Sequence, residues 1–155
     1  MPSKKLKEFL DKNHLKYVSI THSRAFTAQE IAASAHVPGK TLAKTVVVWV
    51  DNDMAMCVLP ASYRVDTDRL EAMTGAGRVR LADEREFRDR FPDCEIGAMS
   101  PFGNLYGFDV YVAESLAEDE TIAFNAGTHT ELIQLAYKDF ERLVRPQVIR
   151  FSHHV

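Results

Sequence analysis

The stretch that decides the fold reads LAKTVVVWVDNDMAMCVLP and covers residues 42–60. Two nearly continuous apolar runs, residues 42–50 and 54–59, flank Asp51-Asn52-Asp53, which has the composition of a turn. Pro60 closes the second run. Each run is typical of a nearly continuous apolar strand, and the turn between the two runs predicts a β-hairpin. Lys44 interrupts the first run.

Short helices and strands alternate irregularly on either side of this hairpin. Hairpin-linked strands among short helices predict an α+β fold rather than a doubly wound parallel sheet. No glycine-rich phosphate loop, HExxH or dinucleotide fingerprint is present. The predicted helices begin near Lys4, Ala28 (behind a Thr27/Glu30 capping box), Thr67, Asp83 and Asp139, and the other predicted strands cover residues 17–20, 79–81, 108–112, 121–125, 131–136 and 148–151.

Length and composition limit the class of protein. The chain has 155 residues, which we expect to form a single domain over residues 1–155. Its 19 Lys and Arg residues face 22 Asp and Glu residues, so any contact with nucleic acid must use a local basic face. Cys57 and Cys94 lack CxxC spacing, and neither a secretory signal nor a membrane-length apolar run is seen, so we expect a cytoplasmic protein.

Three short segments are expected to form one site. The first is the loop Gly97-Ala98-Met99-Ser100-Pro101-Phe102-Gly103, in which glycine and proline impose a defined backbone shape. The second is Gly127-Thr128-His129, and the third is the strand carrying Lys44. A lysine that points inward from an apolar strand needs an anion, whereas one at the exposed end of its strand needs no partner.

Four ordered motifs identify a family resemblance that covers nearly the whole chain. They are residues 42–45 (LAKT), 58–61 (VLPA), 97–103 (GAMSPFG) and 124–129 (FNAGTH). With these motifs the chain resembles the YbaK/prolyl-tRNA synthetase-associated domain family, whose members hydrolyse amino acids wrongly attached to tRNA. The resemblance implies a central, mixed, largely antiparallel, barrel-like sheet with surrounding short helices, and a small pocket for the 3′-terminal aminoacyl-adenosine.

The same resemblance implies the roles of the site residues. It implies that Lys44 acts by charge on the ribose-phosphate or the ester, that Gly127 and His129 belong to the catalytic segment, and that a ribose hydroxyl of the substrate assists water attack without any cofactor or metal. The substrate-binding residues implied are Gly97, Ser100, Pro101, Phe102, Gly103 and Thr128.

Simpler roles compete with these assignments. His129 can enter the pocket or only brace a turn, and Ser100 fits a turn residue better than a nucleophile because no GxSxG motif surrounds it. Cys57 fits a core position, and His153-His154 a mobile tail rather than a metal site.

Two functions follow as hypotheses. The leading one is a free-standing trans-editing deacylase that hydrolyses a mischarged tRNA carrying a small amino acid, as in prolyl-type editing, with an aminoacyl-tRNA synthetase as a further partner and a monomer as the expected state. The alternative is a non-catalytic module of the same fold that binds tRNA ends or a synthetase. Its motivation is the net negative charge and the lack of a recognisable protein nucleophile.

Overall fold

The computed structural model describes residues 4–21, 41–95 and 97–154, apart from the side chain of His154. Its helices are α1 (Lys4–Lys12), α2 (Thr67–Thr74), α3 (Glu84–Phe87), α4 (Glu114–Ala117) and α5 (Tyr137–Val144), with 3₁₀ turns at Arg88–Arg90 and Gly103–Tyr106. Its strands are β1 (Tyr17–Thr21), β2 (Ala43–Val50), β3 (Asp53–Pro60), β4 (Tyr63–Val65), β5 (Val79–Leu81), β6 (Asp109–Ala113), β7 (Thr121–Asn125), β8 (Glu131–Ala136), β9 (Gln147–Ile149) and β10 (Ser152–His154). The predicted α+β class is confirmed.

The predicted hairpin is the centre of the largest sheet. β2 and β3 pair antiparallel from Ala43 opposite Pro60 to Val50 opposite Asp53. The sheet has the order β5-β2-β3-β6-β9, in which β6 runs parallel to both β3 and β9. The sheet is therefore mixed, as expected.

Both faces of the hairpin are covered, which explains its nearly unbroken apolar sequence. Val47 and Met56 belong to one core cluster, together with Leu6 and Leu10 of α1. Val48 and Cys57 face a second cluster on the opposite side of the sheet, formed with residues such as Leu70 and Phe151. Successive residues of a strand point to opposite faces, so each side chain of β2 points toward one of these two clusters, and residues 44–46, 49 and 50 are only partly buried.

The expectation of one barrel-like sheet needs correction. β1, β8 and β7 form a separate antiparallel sheet, and β4 pairs with β10 in a third. A single parallel bridge between Leu42 and Ala123 connects the two larger sheets. Within the described part of the chain the sheets do not close into a barrel, because this one bridge replaces a continuous ladder of hydrogen bonds.

Several local predictions were wrong or incomplete. The His153-His154 segment is not a loose tail, because it forms β10 with His153 opposite Arg64 of β4. α4 and β4 were missed, since runs of three or four residues are too short to show a period. The helix predicted from Ala28 to Ala35 lies outside the described residues. Among those described, no helix has the length and apolar character needed to span a bilayer.

Candidate active site

The 97–103 loop and the 127–129 segment are joined through their backbones. The Gly127 N–H donates to the Ala98 carbonyl at 2.9 Å, and the Glu95 N–H donates to the Gly127 carbonyl at 2.7 Å. This pairing brings together two segments that are about thirty residues apart in the chain. Two of the three segments expected at the site therefore form one continuous piece of structure.

Gly97 and His129 make the closest side-chain approach between these segments. Gly97 has a φ of +86°, a backbone conformation that residues with a side chain seldom adopt. A Cβ added there would lie 3.3 Å from Cε1 and 3.7 Å from Nε2 of His129. The glycine thus lets the imidazole lie against the loop backbone, and both residues keep contact with solvent.

Glu95 was not predicted, and it holds His129 in place. Its Oε1 accepts the backbone N–H of His129 at 2.8 Å, while its own N–H bonds to Gly127. A carboxylate that accepts a backbone N–H makes a charge-assisted hydrogen bond, stronger than a neutral one. The only signal in the sequence was an acidic residue two positions before Gly97, which resembles many solvated carboxylates.

Ser100 and Phe102 lie beneath this surface. Ser100 is 1% exposed, and its Oγ accepts the Phe102 N–H at 3.4 Å, a turn-forming contact. No described histidine or carboxylate bonds to this hydroxyl, which agrees with the turn assignment and not with a nucleophile. Phe102 is fully buried, with its ring centroid 5.4 Å from Phe140 and 5.7 Å from Phe124. Packing accounts for these side chains, and their substrate-binding role stays a prediction.

The other buried site residues also have structural contacts. Gly103 packs so tightly that an added Cβ would lie 2.7 Å from Cγ2 of Val110. Packing alone therefore explains why the residue at this position is glycine. Pro101 is buried. Thr128 is 4% exposed and its hydroxyl lies 3.4 Å from that of Thr130. Solvent therefore reaches the joined segments mainly at Gly97 and His129.

Lys44 lies near the start of β2, opposite Leu59 of β3, and it is half-buried. Burial first, and then the charge of Arg64, lower the pKa of the Lys44 ammonium. Leu42, two residues earlier, bridges Ala123 in parallel, so β2 and β7 leave that bridge in the same direction, toward Lys44 and toward Asn125. Among the described residues, no hydrogen bond or ion pair links Lys44 to the joined segments.

Neither cysteine is suited to nucleophilic attack at neutral pH. Burial raises the pKa of the Cys57 thiol to about 12 and is the main reason that the pKa of Cys94 is raised to about 11. The thiolate is the reactive form, so both sulfurs stay protonated. The part of the chain that the structure describes also contains no group of three or more His, Cys, Asp or Glu residues arranged to hold a metal ion.

Comparison with known sequences identifies the family. The sequence model of the aminoacyl-tRNA editing domain matches residues 22–143, which include Lys44, the 97–103 loop and the 127–129 segment. The chain belongs to the aminoacyl-tRNA editing domain family. This result confirms the resemblance carried by the four motifs.

A curated relative and two solved structures give further comparisons. The Multifunctional Ser/Thr-tRNA deacylase ProXp-y of Escherichia coli (strain K12) is 29% identical over 102 residues, which cover 64% of this chain and 60% of that protein. A structure presented as a candidate trans-editing enzyme for prolyl tRNA synthetase has a TM-score of 0.79 at 20% identity, over 97% of this chain and 96% of the other. The crystal structure of a hypothetical protein has a TM-score of 0.85 at 19% identity, over 97% of this chain and 100% of the other. At these identities the two structures show the editing-domain fold.

Proposed function

We propose that this protein is a trans-editing deacylase, which hydrolyses the ester of a mischarged aminoacyl-tRNA in the cytoplasm. The observation that carries the proposal is the joining of two family motifs at one solvent-exposed point, where the His129 imidazole lies against Gly97. The match of the editing-domain family over residues 22–143 supplies the substrate class.

The proposed chemistry requires few protein groups. An aminoacyl ester is already activated, so the site has to orient the ester and a water molecule and stabilise charge that develops on the carbonyl oxygen. The Lys44 ammonium and the His129 imidazole are the side-chain groups that the proposed site residues offer for this task. With both thiols protonated and Ser100 buried, attack by water, assisted by the substrate's own ribose hydroxyl, fits this site better than a covalent intermediate.

We further propose a small amino acid as the acyl group. The E. coli relative is named for seryl- and threonyl-tRNA, and its 29% identity to this chain makes these two acyl groups the first to test. Alanine belongs in the same panel because it has a still smaller side chain. A synthetase that delivers the tRNA is part of the proposal, since the net charge of −3 gives the protein little general affinity for RNA.

The test is a deacylation panel with matched lysine variants. Seryl-, threonyl- and alanyl-tRNA, each on cognate and non-cognate tRNA, are incubated with wild type, Lys44→Ala and Lys138→Ala. Lys138 is an exposed lysine of α5 and controls for the loss of one positive charge. We expect wild type and Lys138→Ala to hydrolyse at least one mischarged tRNA, and Lys44→Ala to be slower by about two orders of magnitude.

Two results would contradict the proposal. If wild type releases no amino acid from any substrate faster than buffer, the protein is not a deacylase of this class. If it binds tRNA in a salt-dependent manner without turnover, the non-catalytic alternative replaces the proposal.

A further inference from the structure

Arg64 of β4 and Lys44 of β2 both lie close to the turn that joins β3 to β4. Lys44 pairs with Leu59, the second-last residue of β3, and Arg64 is the middle residue of β4. The turn between the two strands is held against the start of β2, because the Ala61 N–H donates to the Leu42 carbonyl at 2.8 Å. The backbone therefore holds Arg64 near the end of the sheet at which β2 begins, where Lys44 also lies.

These two cations have no carboxylate partner among the described residues. The ion pairs found there, with N···O distances up to 4.0 Å, include neither Lys44 nor Arg64. Asp66 is the acidic residue nearest to Arg64 in the sequence, and its carboxylate contacts other groups. Its Oδ1 accepts the Arg69 N–H at 3.0 Å, and its Oδ2 lies 3.8 Å from His153 Nδ1. His153 itself stands opposite Arg64. Asp66 is therefore not an ion-pair partner of Arg64 or Lys44 in the described structure.

Burial of the Lys44 ammonium first, and then the positive charge of Arg64, disfavour its charged form and lower its pKa. An anion bound by both side chains would remove that unfavourable interaction. A phosphodiester is well suited, because its oxygens can accept hydrogen bonds from an ammonium and from the fork of a guanidinium at the same time. Lys44 is half-buried whereas Arg64 is exposed, so an anion bound by both side chains would be accessible from solvent on the Arg64 side.

We propose that Arg64 binds a backbone phosphate in the 3′-terminal segment of the tRNA, next to the group bound by Lys44. This inference depends on the proposed function, since it takes the ligand at Lys44 to be RNA. Arg64 is a substrate-binding residue here, not one that touches the reacting ester. Its loss is expected to raise KM and to leave kcat nearly unchanged, because a phosphate contact is made equally in the bound substrate and in the transition state.

The experiment measures RNA binding separately from hydrolysis. Wild type, Arg64→Gln, Arg64→Lys and Arg142→Gln are titrated with uncharged tRNA over a series of salt concentrations, and their kcat and KM are measured on the best mischarged tRNA. Arg142 is the control, an exposed arginine of α5 whose guanidinium lies 3.5 Å from Asp139. Thermal unfolding checks that all four proteins are folded.

We expect Arg64→Gln to weaken binding on the order of tenfold at low salt and to reduce the slope of log affinity against log salt by about one, as for one lost phosphate contact. Arg64→Lys should keep most of the wild-type salt slope, and Arg142→Gln should match wild type in affinity and in salt slope. If Arg64→Gln keeps the wild-type slope and KM while wild type hydrolyses its substrate, the inference on Arg64 is wrong and the proposed function stands. If the slope depends on Arg64 but nothing is hydrolysed, the phosphate site stands and the deacylase proposal fails. If wild type hydrolyses a mischarged tRNA without measurable binding of uncharged tRNA, an unchanged KM in Arg64→Gln refutes the inference on Arg64. If wild type neither binds tRNA nor hydrolyses any mischarged tRNA, both proposals are refuted.

Discussion

Replacing Gly97 with alanine tests whether the glycine is needed for His129. Two effects are expected. The positive φ of +86° costs a residue with a side chain about 1–2 kcal/mol, of which roughly 0.4–1 kcal/mol is offset by the lower entropy of the unfolded chain. The new methyl group would also stand 3.3 Å from Cε1 of His129, closer than an ordinary contact, so the imidazole must move by a few tenths of an ångström.

Gly75 provides a matched control for the backbone effect. It has a φ of +75° at the end of α2, and a Cβ added there meets no atom within 4 Å. Gly97→Ala and Gly75→Ala should therefore lose similar stability, a net of about 1 kcal/mol, or roughly 2–4 °C in Tm for a chain of this size. Only Gly97→Ala should displace His129, and we expect its kcat/KM for deacylation to fall about tenfold while Gly75→Ala stays near wild type.

Two measurements test the predictions for Gly97→Ala and Gly75→Ala. Urea unfolding gives the two stability losses, and NMR chemical shifts of the His129 ring report its displacement directly, whatever the enzymatic activity. Equal kcat/KM for the two variants, with the His129 shifts of Gly97→Ala clearly changed, would show that the position of the imidazole does not matter for hydrolysis. Unchanged His129 shifts would refute the contact itself.

Three further predictions concern the surroundings of the site. Glu95→Ala should lower kcat/KM about tenfold and move the amide resonance of His129, whereas Glu95→Gln, which keeps an acceptor oxygen, should retain most of the activity. Gly103→Ala should cost about 1–3 kcal/mol in urea unfolding through overpacking, with normal activity per folded molecule. Glu131→Gln should cost about 1–2 kcal/mol at neutral pH. Burial raises the pKa of the Glu131 carboxyl, but hydrogen bonds from Lys7 and Ser19 together outweigh burial and lower the pKa. That contribution is present above the unfolded-state pKa and is lost as pH falls through the lower folded-state value, so the two proteins should become equally stable in acid.

The contrast between Ser100 and Glu95 shows what the sequence could not supply. Ser100 lies in a motif, so it was named at once, yet its side chain is buried and bonded to the backbone of its own loop. Glu95 lies outside the motif, yet its carboxylate binds the residue that the motif analysis singled out. A sequence motif marks where the backbone needs a special shape, whereas a contact between residues 95 and 129 depends on how two distant segments fold together.

The sequence by itself determined the α+β class, the central hairpin and the editing-domain family. These features are encoded locally, in apolar runs, turn residues and short motifs that do not depend on the rest of the fold. Only the tertiary structure decided that the 97–103 loop and the 127–129 segment form one surface, that His153 belongs to a strand, and that Arg64 lies near Lys44. The physical reason is that hydrogen bonds and charge interactions between residues far apart in the chain act only when the folded backbone brings their atoms within a few ångströms.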